Sequence, residues 1–166
     1  MVMALTLSGC ESVDDTRIPA VPVYINLSDP GLWNSYGTPG FGIYNYFILQ
    51  EGVPREPAGF NYIHNSATGF GGVLLIGGVN PFEGNVSAPM AYDLSCPVEK
   101  SPTIRVRIDP ETLEAVCPVC LSHYDVTMGA GAPTEGPAAQ GEHKYGLRRY
   151  YCHPTSLNGY IINDYQ

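Results

Sequence analysis

Positive charge is scarce in this chain of 166 residues: Lys and Arg number 8 against 16 Asp and Glu, a formal net charge of -8. A nucleic-acid binder needs a basic footprint for phosphate. Here only Arg105 with Arg107 and Arg148 with Arg149 cluster, the first pair reading as outward-facing strand positions. Long apolar runs are missing too, and nothing approaches the roughly 18 residues of a membrane-spanning helix. Amphipathic helices of ordinary length, internal repeats, a phosphate loop, a nucleotide fingerprint and a Ser/His/Asp arrangement are all absent. Nucleic-acid binding is therefore not expected, and neither is enzyme activity. What the chain does have is turn chemistry: 19 Gly and 15 Pro, scattered rather than periodic, beside a hydrophobic fraction of 44%. That composition fits short strands joined by many turns. A chain of this length can bury roughly 70% of its unfolded surface, enough for a real core.

Period-two patterning predicts an all-β fold. Val21, Val23, Ile25 and Leu27 can share one strand face, with Tyr24 and Asn26 on the other. Ser28-Asp29-Pro30 offers a helix start with room for one turn. Strands are expected over 43–49, 60–64, 73–76, 91–94, 103–108, 113–116, 145–151 and 160–162. Within 103–108, Ile104, Val106 and Ile108 read as inward and Arg105 and Arg107 as outward. His64 on its strand and His143 in a polar turn read as ordinary packing or solvated histidines. Trp33 and the twelve Tyr read as sheet and core formers.

Leu7-Ser8-Gly9-Cys10 resembles the lipobox of bacterial lipoprotein signal peptides. In that family the chain is cleaved before the Cys, whose thiol carries a diacylglycerol. The resemblance implies residues 1–9 as a signal remnant, 10–19 as a lipidated tether and 20–166 as one β domain. Only nine residues precede Cys10 and none is Lys or Arg, so the signal is expected to begin upstream of Met1. The acidic stretch Glu11-Ser12-Val13-Asp14-Asp15 is similar to the post-lipidation segment of Bacteroidota-type lipoproteins of the outer membrane. Membrane attachment through Cys10 in a bacterial cell envelope is the resulting expectation. An anchor fixes location and says nothing of chemistry.

The remaining cysteines are Cys96, Cys117, Cys120 and Cys152. Cys96 opens a Cys96-Pro97-Val98-Glu99 loop after an apolar strand. A hairpin later comes Cys117-Pro118-Val119-Cys120-Leu121-Ser122-His123-Tyr124, then Gly136-Pro137-Ala138-Ala139, then Leu147 and Tyr150. This order resembles the Rieske iron–sulfur family, over residues 70 to 152 in motif order and only loosely over 20 to 70. The resemblance implies stacked antiparallel sheets, two loops facing each other across a 2Fe-2S cluster and a Gly-Pro-Ala loop covering it. A Rieske centre takes two thiolates on one iron and two imidazoles on the other. Cys96 and Cys117 match the thiolate positions, whereas Val98 and Cys120 stand where the family has its two histidines. Two of the four ligands are thus changed, and a normal Rieske cluster is not expected.

Three readings of the thiols follow from the resemblance. In the first, Cys96, Cys117 and Cys120 bind zinc or a plain 2Fe-2S cluster, with His123, Cys152 or His153 as fourth ligand. In the second, Cys96, Cys117, Cys120 and Cys152 form disulfides, as an even set of cysteines outside the cytoplasm suggests, with Cys96 near Cys117 or Cys120. In the third, Cys117 and Cys120 are a redox-active pair, although no helix follows to lower a thiol pKa. The preferred expectation is the second: a structural or binding module without a cofactor. The alternative is an electron-transfer or metal-binding protein.

Overall fold

Val23, Ile25 and Leu27 are buried while Tyr24 and Asn26 are only half so, the alternation that makes residues Val23–Leu27 (β2) a strand. The computed structural model of the protein describes residues 12–80 and 85–164. Around β2 lie β1 (Val13–Asp14), α1 (Pro30–Tyr36), β3 (Tyr44–Phe47), β4 (Ala67–Thr68), β5 (Val73–Asn80) and β6 (Asn85–Asp93). The second half adds β7 (Arg107–Ile108), β8 (Ala115–Val116), β9 (His123–Asp125), β10 (Ala132–Glu135), β11 (Lys144–Tyr145), β12 (Arg149–Pro154) and β13 (Tyr160–Asn163). The fold is all-β. A seven-stranded antiparallel sheet, nearly closed into a barrel, runs in the order β3-β5-β6-β12-β13-β2-β4. A four-stranded antiparallel sheet runs β10-β9-β8-β7. The third sheet departs from the all-antiparallel expectation, since β1 and β11 pair in parallel.

The central hairpin β5–β6 is buried on both faces. Leu74, Ile76, Met90 and Tyr92 pack with Val106, Ile108, Ala115, Cys117 and Tyr124 towards the four-stranded sheet. Val73, Leu75 and Ala91 pack with Phe47, Ile25, Leu27, Ile162 and Trp33 on the other side. A strand covered on both faces needs apolar residues at every position, which is why 73–76 reads as an unbroken apolar run.

Several local expectations change. The helix after Asp29 has seven residues, not one turn, because the Asp29 carboxylate accepts from the N–H groups of Gly31 and Leu32 and Pro30 opens the first turn. Residues 60–64 form no strand; Phe60 instead turns in against Tyr36, Phe47 and Tyr62, and His64 sits in an exposed turn. Arg105 does not face outward, because its guanidinium donates to the Gly71 carbonyl and to Gln50. Part of the expected 10–19 tether is bound to the fold: Ile18 is buried, Arg17 stacks over Tyr145 and Asp15 pairs with Arg149. Cys10 and the rest of the lipobox lie outside the described residues.

At the end of β6 the buried Asp93 carboxylate collects four donors: the N–H groups of Phe70, Gly71 and Ser95, and the Tyr150 hydroxyl at 2.6 Å. Burial raises its pKa, against the opposing pull of these hydrogen bonds. Gly71 has no room for a side chain, since a Cβ there would stand 2.0 Å from Ser95 Oγ. Replacing Asp93 by Ala leaves buried N–H groups unpaired at about 1–3 kcal/mol each. The expected loss in urea unfolding is therefore at least about 3 kcal/mol, against roughly 1 kcal/mol for Tyr150→Phe. A loss at Asp93 no larger than at Tyr150 would mean that the loop backbone pairs elsewhere.

Candidate metal centre

Two hairpin tips bring three thiols together. The first hairpin pairs Cys96 with Ile104 through the Cys96 N–H, and Val106 with Leu94, ahead of β7. The second connects β8 to β9, with the Cys117 N–H donating to the Ser122 carbonyl. At each tip the cysteine is followed by Pro-Val and a tight turn. The Cys96, Cys117 and Cys120 sulfurs all lie within 4.8 Å of one another. Cys96 and Cys120 Sγ are 3.6 Å apart. Cys96 and Cys117 are fully buried, and Cys120 is half-buried at the mouth.

The surroundings favour retained thiols of low reactivity in the absence of a ligand. Burial pushes the Cys96 thiol up to about 12, offset in part by the Tyr124 hydroxyl 3.3 Å away and by the Glu99 and Val98 N–H groups. Cys117 is also raised by burial, with the Cys120 and Val119 N–H groups pulling the other way. These N–H groups stabilise sulfur once it is charged. The Cys120 thiol donates to the Ser122 hydroxyl at 3.2 Å, and that oxygen also accepts from the Ala138 N–H. Gly136 makes this approach possible: its φ is +78°, and a Cβ would stand 2.7 Å from Ser122 Cα. The Gly136–Ala139 segment thus packs directly on the second cysteine loop, with Ala138 fully buried in the same core cluster as Cys96 and Cys117.

The other expected ligands lie elsewhere. His123 precedes Tyr124 on β9, so the two side chains leave opposite faces of the strand. Tyr124 turns inward to Cys96, while His123 Nδ1 pairs with Glu114 at 2.9 Å. Cys152 lies on β12 and packs against the other core cluster, so it joins neither the thiol group nor a disulfide with it. No disulfide links the four described cysteines, although Cys96 lies close to Cys117 and Cys120 as expected. His153, on the same strand, is exposed and bonded to Asn163. Val98 is partly buried against the core beside the thiols and offers no donor atom. Tyr124 and Ser122 were not identified from the sequence; their only signal was position, directly after the Cys117–Cys120 loop. Comparison with protein-family models, curated proteins and solved structures gave no match.

These environments set an order of reactivity. Iodoacetamide at pH 8 on the reduced, metal-free protein should label Cys120 well before Cys96 and Cys117, because the latter two are buried and protonated. Peptide mapping by mass spectrometry reads the order. Equal labelling of all three would mean that the two tips separate in solution.

Proposed function

We propose that this chain is a metal-binding protein that holds one zinc ion through Cys96, Cys117 and Cys120. The observation that supports it is the convergence of three thiols within 4.8 Å on two facing loops. Zinc–thiolate bonds of about 2.3 Å give a tetrahedral edge of about 3.8 Å, close to the 3.6 Å between Cys96 and Cys120. Thiolate donors suit zinc and other soft or borderline ions, whereas magnesium and calcium take oxygen. A Rieske centre does not fit this donor set, since Val98 has nothing to coordinate with and no histidine joins the group among the described residues. A plain 2Fe-2S cluster fits poorly as well. Its ligands are divided between two irons separated by bridging sulfides, whereas these three sulfurs are grouped as the ligands of one ion.

The facing Cys-Pro loops on a four-stranded sheet, backed by the Gly136–Ala139 segment, support a Rieske-like scaffold whose cluster site has become a mononuclear one. The Leu7–Cys10 lipobox supports attachment of that scaffold to a bacterial envelope membrane. In this reading the protein catalyses nothing, and the ion ties two loops together.

A second reading has one observation in its favour: the Cys96 and Cys120 sulfurs are only 3.6 Å apart, so a small shift would let them form a disulfide. Metal analysis of protein purified without chelator, with a free-thiol count and a visible spectrum, separates the two. One zinc per chain without colour is the expected result. No metal, with Cys96 and Cys120 recovered as a disulfide, would overturn the zinc reading in favour of the second.

Loading should also depend steeply on pH. The Cys96 and Cys117 thiols are both raised above the ordinary 9.0, so each releases a proton when metal binds near neutrality. Apparent zinc affinity should rise with pH from 6 to 8 by up to about three decades per unit, one for each of the three thiol protons displaced. A competition titration at several pH values measures it, and a flat profile would mean that these thiols are not the ligands.

A further inference from the structure

The two cysteine loops are the same loop built twice, as Cys96-Pro97-Val98-Glu99-Lys100 and Cys117-Pro118-Val119-Cys120-Leu121. In each, the first carbonyl accepts from the fifth residue's N–H, at 2.9 Å from Lys100 and 3.1 Å from Leu121. In each, that fifth residue is left-handed, with φ of +51° at Lys100 and +56° at Leu121. The shared Cys-Pro-Val run, the same closing hydrogen bond and the same left-handed fifth residue put Glu99 at the position that Cys120 occupies in the second loop. Glu99 is half-buried, and among the described residues its carboxylate has no ion pair or hydrogen bond.

We infer that Glu99 supplies the fourth ligand through one carboxylate oxygen, closing the site as three thiolates and a carboxylate. This rests on the zinc reading above. Zinc accepts a Glu oxygen at about 2.0–2.2 Å, and a site with four protein ligands is structural, whereas one that keeps a water is open for catalysis. The rival donors are committed elsewhere: His123 to Glu114, and Cys152 to the other core cluster. The Glu99 carboxylate stands outside the 4.8 Å thiol group, so coordination requires it to turn about its own side-chain bonds. It therefore closes the site from the solvent side, after the buried thiols have taken the ion.

Cobalt(II) titration of the full, reduced, metal-free chain, followed by absorption, tests this with Glu99→Ala, Glu99→Gln and Glu99→Cys. Wild type is expected to bind one cobalt with tetrahedral bands. Both Glu99→Ala and Glu99→Gln should weaken binding by about 10–100-fold or more, with the bands shifted as water enters. Glu99→Cys should raise the thiolate-to-cobalt absorption from three thiolates to four. Circular dichroism of each variant guards against misfolding, and Glu99→Gln keeps the side-chain size. Wild-type binding with unchanged affinity and bands in all three variants would overturn the Glu99 assignment and leave the zinc reading standing. Failure of the wild type to bind would overturn both, even if Glu99→Cys bound.

Discussion

The Asp93 carboxylate is the constraint on which the candidate site depends. It stands where β6 ends and the chain leaves for Cys96, three residues on. Its hydrogen bonds join the Gly69–Gly71 approach to β5, the Ser95 backbone and Tyr150 on β12. A buried carboxylate is costly unless its oxygens are fully occupied, and here the donors come from three separate parts of the chain. Arg105 adds to the same junction by donating to the Gly71 carbonyl, so the return strand of the first hairpin is tied to it as well. The first cysteine loop therefore hangs from a rigid point of the large sheet.

The second loop is positioned by packing more than by polar contacts. Tyr124, Val126 and Ala115 are fully buried against Tyr92 and Leu74, which fixes the β8–β9 hairpin on the outer face of β5–β6. Ala138 and Gly136 close the other side. The three sulfurs thus inherit their spacing from two different supports, a hydrogen-bonded hub and an apolar core. Cys96 and Cys117 are themselves part of that apolar core, with Cys96 against the Tyr124 hydroxyl and Cys120 against Ser122.

Much of this was legible in the sequence. The unbroken apolar run at 73–76 and the alternation at 23–27 report strands buried on two faces and on one. Cys96, Cys117 and Cys120 could be singled out because a Cys-Pro-Val run after a strand is a local feature. What escaped was set by strand parity and long-range packing. His123 is adjacent in sequence to the thiols, yet a one-residue step on β9 sends it to the far face and Tyr124 to Cys96. Cys152 belongs to a strand whose place in the sheet order is not encoded locally. Phe60 to His64 has strand-forming residues but finds no partner strand, and aromatic contacts take it instead. The equivalence of Glu99 and Cys120 was visible as two Cys-Pro-Val runs, but only the backbone geometry gives it meaning.

The sequence spans of the thiol group and of the large sheet differ greatly. Cys96 and Cys120 are 24 residues apart, whereas Val23 on β2 and Asp164 just past β13 are 141 apart. Short loops close faster than long ones, so contacts between near neighbours in sequence form early. The two hairpin tips can meet while β13 has yet to reach β2. If the thiols take an ion as proposed, its capture at that stage would shorten the search of the remaining chain, and the compartment in which the polypeptide first collapses would then decide which ion enters.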